Sequence, residues 1–117
     1  MKILTTGAAG LLGKLVLEAG RDRHEMIGLG REELDVTDRE AVRATVPRLK
    51  PDAVLHCAAY TAVDRAEDEP DRAMALNADS VEWVAAAAME CGAVAVYVSS
   101  DYVFDGKAKV PYCEEDN

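Results

Sequence analysis

Two stretches of the chain place groups capable of chemistry at what reads as one edge of a sheet. The first is Thr5 to Gly13, T-T-G-A-A-G-L-L-G, lying between an apolar run at Lys2 to Leu4 and an apolar-periodic segment at Leu11, Leu12, Leu15, Val16 and Ala19. Strand, tight turn, helix is the context in which spaced glycines cradle a pyrophosphate. Gly7 turns the chain, Gly10 lets backbone approach the phosphates, and Gly13 lets the helix sit close on the sheet. Leu11 and Leu12 open that helix, whose unpaired N–H groups and dipole favour an anion. The second stretch is Ser99-Ser100-Asp101-Tyr102, hydroxyls and one carboxylate that follow the apolar run Ala93 to Val98. Residues of these types serve either a catalytic site or a plain turn.

The elements that must position these groups alternate regularly. The first helix runs to about Ala19, with Gly20 supplying a left-handed residue after its end. Met26 to Leu29 is a second strand, and no acid stands at its end; Arg31 there either pairs with a 2′-phosphate or is a solvated surface arginine. Glu33 to Val36 is short enough for a brief edge strand. Thr37-Asp38-Arg39-Glu40 fits a capping box that starts a helix at Asp38, and Pro47 should kink or end that helix near Val46. Ala53 to Cys57 is a strand apolar on both faces apart from His56, which reads as a satisfied core histidine without a functional role. Ala58-Ala59-Tyr60-Thr61 follows, with small residues that leave room for a ligand where parallel sheets admit one.

Asp64 to Asp71 is acidic and reads as a solvated face or loop, with Pro70 at the first position of a helix that continues to about Cys91. Asn77, Val81, Val84 and Ala88 share one stripe of it, turning Asn77 toward the sheet, where it would pin backbone or order a water; Trp83 packs on a neighbouring stripe. Gly92 ends the helix, Ala93 to Val98 is the next buried strand, and Cys113 to Asn117 is a polar tail. Strand and helix alternating in this way, with right-handed crossovers, form the first half of a doubly wound parallel α/β sheet, a Rossmann-like fold with helices on both faces.

Composition bounds the reading. The 117 residues are 50% hydrophobic, enough for one domain with a core, and 22 acidic against 13 basic residues give a net charge of -9. That charge disfavours nucleic acid and anionic membrane as partners. Three widely spaced cysteines argue against a disulfide framework, and neither histidine, His24 nor His56, sits at metal-ligand spacing, so no metal site is expected. No apolar run approaches the ~18 residues of a membrane span, and Met1 leads into a strand without a signal pattern, so the expected location is cytoplasmic.

Four blocks carry a family resemblance. T-G-A-A-G-L-L-G at Thr6 to Gly13, E-L-D-V-T-D at Glu33 to Asp38, A-A-Y-T-A-V-D-R-A-E at Ala58 to Glu67 and S-S-D-Y-V-F-D-G at Ser99 to Gly106 together resemble the extended short-chain dehydrogenase/reductases. The resemblance is to the branch acting on dTDP-linked 4-keto deoxysugars, and it spans nearly the whole chain. It implies reduction of the C4 ketone of dTDP-4-dehydrorhamnose to dTDP-L-rhamnose by NADPH or NADH. Gly7, Gly10 and Gly13 match the pyrophosphate turn, Asp35 and Val36 the adenine contacts, and Ala58, Ala59 and Tyr60 the loop beside ribose and nicotinamide. Ser100 matches a catalytic Ser or Thr that polarises the carbonyl as oxyanion charge develops. Asp101 and Tyr102 match the substrate-side loop. NADPH is the expected cofactor, from the missing acid and Arg31, with NADH as the other candidate; a dTDP-sugar is the expected substrate.

The chain departs from that pattern in two places. Leu15 stands where some members carry a Glu in a metal-linked dimer contact. The family's acid, a Tyr with a Lys four residues on, has no counterpart: Tyr60, Tyr97, Tyr102 and Tyr112 are followed at that offset by Asp64, Asp101, Gly106 and Asp116. A cofactor-binding domain truncated before the Tyr-x-x-x-Lys helix and the substrate domain is therefore expected. An open edge at the Ala93 to Val98 strand would favour a homo-oligomer. The alternative class is a non-catalytic regulator like the beta subunit of methionine adenosyltransferase, which shares the glycine turn and S-S-D-Y-V-F-D-G; Tyr60 to Ala66 looks more like the reductases.

Overall fold

Strand β1 (Lys2–Thr6) lies inside a four-stranded parallel sheet of order β2-β1-β3-β4 in the computed structural model, which describes residues 1–116. Asn117, the end of the polar tail, lies outside the described residues. From β1 the chain passes through α1 (Leu11–Gly20) to β2 (Glu25–Leu29) on one side. It then returns through α2 (Arg39–Leu49) to β3 (Ala53–His56) on the other. Right-handed crossovers in opposite directions put successive helices on opposite faces of the sheet. Accordingly α1 packs on β1 and β2, while α2 packs against α5 (Ser80–Glu90), which also covers β3 and β4 (Val94–Tyr97). This is the doubly wound α/β architecture expected from the alternation of elements.

The register aligns Leu4, Val54 and Ala95 in one row across β1, β3 and β4, and Thr6, His56 and Tyr97 in another. Leu4, Val54, Val42, Val46, Val84 and Ala88 make the core between sheet and helices α2 and α5, each at most 1% exposed. Six apolar side chains of this size withdrawn from water contribute on the order of 1.5 to 3 kcal/mol each for the larger ones, and this layer is what holds the two crossovers together.

Several local expectations are corrected. Thr37 does not cap α2, because its hydroxyl donates to Asp35 Oδ1 (2.6 Å); Asp38 is the N-cap instead, accepting from the Ala41 amide at 3.0 Å, and the helix starts at Arg39. Pro47 does not end it near Val46. Val42 and Val46 anchor the preceding turn in the core, and the helix runs on to Leu49 before Lys50 takes a left-handed conformation (φ 49°) and returns its N–H to the Pro47 carbonyl. Gly20 stays helical and is not the left-handed residue; a Cβ on it would fall 2.5 Å from Met26 Sδ, so a larger residue there would have to displace that side chain. Glu33 to Val36 is no strand but a folded connection, with the Leu34 amide donating to the Gly30 carbonyl and the Leu34 and Val36 side chains buried.

The segment from α4 (Pro70–Met74) to α5 differs most from its periodicity. Pro70 opens α4 as expected, but Ala75–Asp79 is a π-helix, whose extra residue shifts the stripe. Asn77 therefore leaves the face turned to the sheet, and Ser80 is the polar residue that occupies it, fully buried. The short helix α3 (Val63–Ala66) precedes this segment. Strand β4 is not buried: it is the sheet's edge, with Val94 62% and Val96 46% exposed, because among the described residues no element covers its far side or one of its faces. Among the described residues no helix is long and apolar enough to cross a membrane.

Candidate functional site

The chain leaves β1 toward β2 and later returns to the other side of β1 as β3, so the crevice between the ends of β1 and β3 is the point where strand order reverses. Doubly wound sheets bind ligands at this point. A cavity of about 530 Å³ opens there, within the range of small-molecule sites. Gly7 and Gly10 form its floor, the connection Arg31 to Thr37 one wall, and Cys57 to Ala62 with Arg72 the other.

Gly7 is held at φ 65°, a left-handed conformation, and a Cβ on it would lie 2.5 Å from the Ala58 nitrogen. Both conditions require glycine. At Gly13 a Cβ would lie 2.4 Å from the Gly7 carbonyl oxygen, so the close approach it permits is between the first turn of α1 and the glycine turn itself. Gly10 is the N-cap of α1 and offers no side chain to the helix end. The N-terminal amides are thus left to an anion.

On the β2 side, Asp35 is oriented by Thr37, whose amide (3.0 Å) and hydroxyl both donate to Oδ1. Its Oδ2 faces Arg31 Nε at 3.7 Å. The Thr37 hydroxyl and amide, then the Arg31 charge, hold the carboxyl below its ordinary range, so it is an acceptor at neutral pH. Arg31 is mostly exposed, and an ion pair of this kind in water is worth little. Its guanidinium remains available to a stronger anion.

On the β3 side, Tyr60 is fastened from three directions. The Asn77 carboxamide accepts from the Tyr60 amide (2.8 Å) and donates to its carbonyl (3.0 Å). The phenol donates to Glu69 Oε2 (3.1 Å), and the Arg72 guanidinium lies 5.4 Å from the ring centroid. Glu69 also receives Arg65 and Arg72, each at 2.9 Å, and their hydrogen bonds keep it ionised to lower pH than an ordinary glutamate. Desolvation and the Glu69 carboxylate push the Tyr60 phenol up. Cys57 lines the cavity with its thiol pushed up by burial, which leaves it a neutral wall atom.

His56 is the core residue it was read to be. Ser80 donates its one proton to the Leu76 carbonyl (2.7 Å), so at 3.0 Å it accepts from His56 Nε2, and Nδ1 accepts from the Thr6 hydroxyl at 2.7 Å. The ring is thus a neutral Nε2–H tautomer between two partners. Burial pushes its pKa down to about 4.

Of the residues picked out from the sequence, Gly7, Gly10, Arg31, Asp35 and Val36 line the cavity, as do Ala58, Ala59 and Tyr60. Leu11, Leu12 and Gly13 follow in α1 but do not line it. Ser100, Asp101 and Tyr102 are exposed, at the same sheet edge beyond β4 and outside the cavity wall, with Asp101–Val103 in a 3-10 turn. Thr37 and Arg72 were missed. Thr37 looked like a helix cap, and Arg72 sits in a run whose charges read as solvated. Among the described residues no three His, Cys, Asp or Glu side chains gather as a metal site would need.

A glycine turn at a bare helix N-terminus, set at the reversal point of a doubly wound parallel sheet, defines the dinucleotide-binding class of α/β protein. A family model described as the RmlD substrate binding domain matches residues 1–117. The dTDP-4-dehydrorhamnose reductase of Sinorhizobium fredii is 41% identical over 116 residues, 99% of this chain and 39% of that protein. The crystal structure of a dTDP-4-dehydrorhamnose reductase from Clostridium acetobutylicum superposes with a TM-score of 0.94 at 43% identity, covering 100% of this chain and 42% of that one. A third, from Bacillus anthracis in complex with NADP, gives a TM-score of 0.86 at 39% identity over 92% of this chain and 39% of its own. The chain belongs to the dTDP-4-dehydrorhamnose reductase family, among the extended short-chain dehydrogenase/reductases. It spans about two fifths of the length of these relatives.

Proposed function

We propose that this chain forms the dinucleotide-binding part of an oxidoreductase that reduces the C4 ketone of dTDP-4-dehydrorhamnose, with NADPH as the preferred cofactor. The observation that carries the reading is the cavity at the strand-order reversal, floored by Gly7 and Gly10 and walled by Asp35 and the Ala58 to Tyr60 loop. The pyrophosphate lies on the N-terminus of α1, the adenosine against Asp35 and Val36, and the nicotinamide toward the Ala58 to Tyr60 loop. Ser100 polarises the ketone, and Asp101 and Tyr102 meet the sugar nucleotide from beyond β4.

The 2′-phosphate is met by Arg31, which exchanges its long contact with Asp35 for a dianion. A charge-assisted hydrogen bond contributes about 1.5 to 3 kcal/mol, roughly one to two decades in affinity. Titration calorimetry with each reduced cofactor is expected to show tighter binding of NADPH, and Arg31→Ala to weaken NADPH by that factor while leaving NADH nearly unchanged. Equal affinities for the two in the unaltered chain would remove the preference.

The exposed edge of β4 supports association of the chain with itself. Val94, Val96 and Val98 present apolar surface beside unpaired strand groups. Sedimentation is expected to show dimers or larger species whose share grows with concentration, and Val96→Lys to reduce it; a concentration-independent monomer would count against it.

A further inference from the structure

The Asn77 side chain makes two hydrogen bonds to one residue's backbone, and that residue is the centre of the cavity wall. Among the described residues Tyr60 has no partner on a neighbouring strand, since β3 ends at His56, so the wall from Cys57 to Ala62 is irregular chain whose amides and carbonyls need partners from elsewhere. A primary carboxamide is the side chain that can accept from an N–H and donate to a C=O at once, as a second strand would. Asn77 does both, at 2.8 and 3.0 Å.

The helix that carries it is built to deliver it. In an unbroken α-helix, residues three apart share a face, so Asn77 and Ser80 would point the same way. They do not: Ser80 is fully buried on His56, whereas Asn77 is exposed and reaches the cavity wall. The π-turn at Ala75–Asp79 separates them. One helix thereby grips the sheet through Ser80 and the wall through Asn77, one turn apart.

We infer that Asn77 is a positioning residue for the cofactor: through the Tyr60 backbone it holds the Ala58 to Thr61 wall in the conformation that receives the dinucleotide. Asn77 itself touches no ligand; it acts by keeping the wall ordered before binding, so that ordering is not charged against affinity. This rests on the proposed cofactor reading of the cavity. If the wall is competent only a tenth of the time without the clamp, the apparent dissociation constant rises tenfold.

The test compares three forms of the full 117-residue chain: unaltered, Asn77→Ala and Ser80→Ala. The last removes the neighbouring polar anchor on His56 and leaves the clamp in place, so it controls for simple loss of stability. NADPH affinity by calorimetry, thermal midpoint and hydrogen exchange of the 58–62 amides are read on each. Asn77→Ala is expected to weaken NADPH about tenfold with faster exchange across 58–62, whereas Ser80→Ala lowers the midpoint and leaves the affinity within twofold. Asn77→Asp, which keeps the acceptor for the Tyr60 amide but loses the donor, should fall between. Faster exchange in Asn77→Ala with NADPH affinity unchanged would overturn the inference alone. Failure of the unaltered chain to bind NADPH would overturn the cofactor reading and the inference with it.

Discussion

Mixed with NADPH and dTDP-4-dehydrorhamnose, the 117-residue chain is expected to leave the nicotinamide reduced. Hydride transfer to a ketone makes an alkoxide that must take a proton, and none of the four tyrosines is arranged to give one. Tyr60 is the phenol nearest the cavity, but it already donates to Glu69, and desolvation and that carboxylate raise its pKa, making it a worse acid. Tyr112 donates to Asp105 at 2.8 Å, and the Tyr97 phenol points to the Asn77 carbonyl. Tyr102 is 75% exposed in the turn after β4. No lysine stands four residues beyond any of them. A positioned acid contributes about 10² to 10⁴-fold, so turnover should fall below a reductase's ordinary rate by at least that factor even with both ligands bound. Absorbance at 340 nm under saturating NADPH measures it. Consumption of NADPH at an ordinary reductase rate would mean that one of these tyrosines, Tyr60 first, is the acid after all.

Acid should destabilise the chain through His56 before the carboxylates titrate. In the unfolded chain an imidazole takes its proton near pH 6.5; in the folded one burial holds this off to about pH 4. Between the two, the unfolded state binds more protons. The stability contributed by the neutral ring is therefore complete above pH 6.5, declines through the window and is lost at about pH 4. At about 1.4 kcal/mol per pH unit, the whole window amounts to roughly 3 kcal/mol, a sizeable share of what holds a domain of this length folded. Urea unfolding at pH 7.5, 6, 5 and 4.5 is the measurement, alongside the same series on His56→Gln, which cannot titrate there. A decline of equal size in both would remove His56 from the account. Proton NMR of the ring supplies a check independent of the variant, since an ordinary titration midpoint near 6.5 in the folded chain would also refute it.

What could be read from the residues was what depends on spacing along one segment. The glycine turn, the strand ends and the small wall residues Ala58 and Ala59 each follow from a local pattern, and the structure brings them to one cavity. The errors arose where two segments compete for one group. Thr37 looks like a helix cap until Asp35 is seen to take its hydroxyl. The 3.6 period puts Asn77 on the sheet-facing stripe because it carries no sign of an extra residue; only the bonds to Tyr60 and the burial of Ser80 reveal the π-turn. Pro47 breaks a helix in isolation, yet two buried valines in the preceding turn outweigh it. Strand β4 is apolar throughout and so reads as buried, although sequence cannot say how many neighbours an apolar strand has. Arg72, its charge shared with Glu69 and its guanidinium over the Tyr60 ring, has no local pattern at all.

The central place of β1 also sets the order in which this chain can fold. Its five residues are made before either partner strand, but one of its two ladders pairs Ile3 to Thr6 with Ala53 to His56, fifty positions later. At synthesis rates of about 5 to 20 residues per second, that partner arrives roughly 3 to 10 s after β1. During this interval β1 can form only a two-stranded parallel pair with β2, without β3 beside it or α2 beneath it. A parallel pair of this kind is marginal in water. The centre of the sheet thus closes only when β3 docks against a waiting first strand, with α2 covering Leu4 and Val54. During those seconds the nascent chain presents β1 to chaperones or to strands of another molecule.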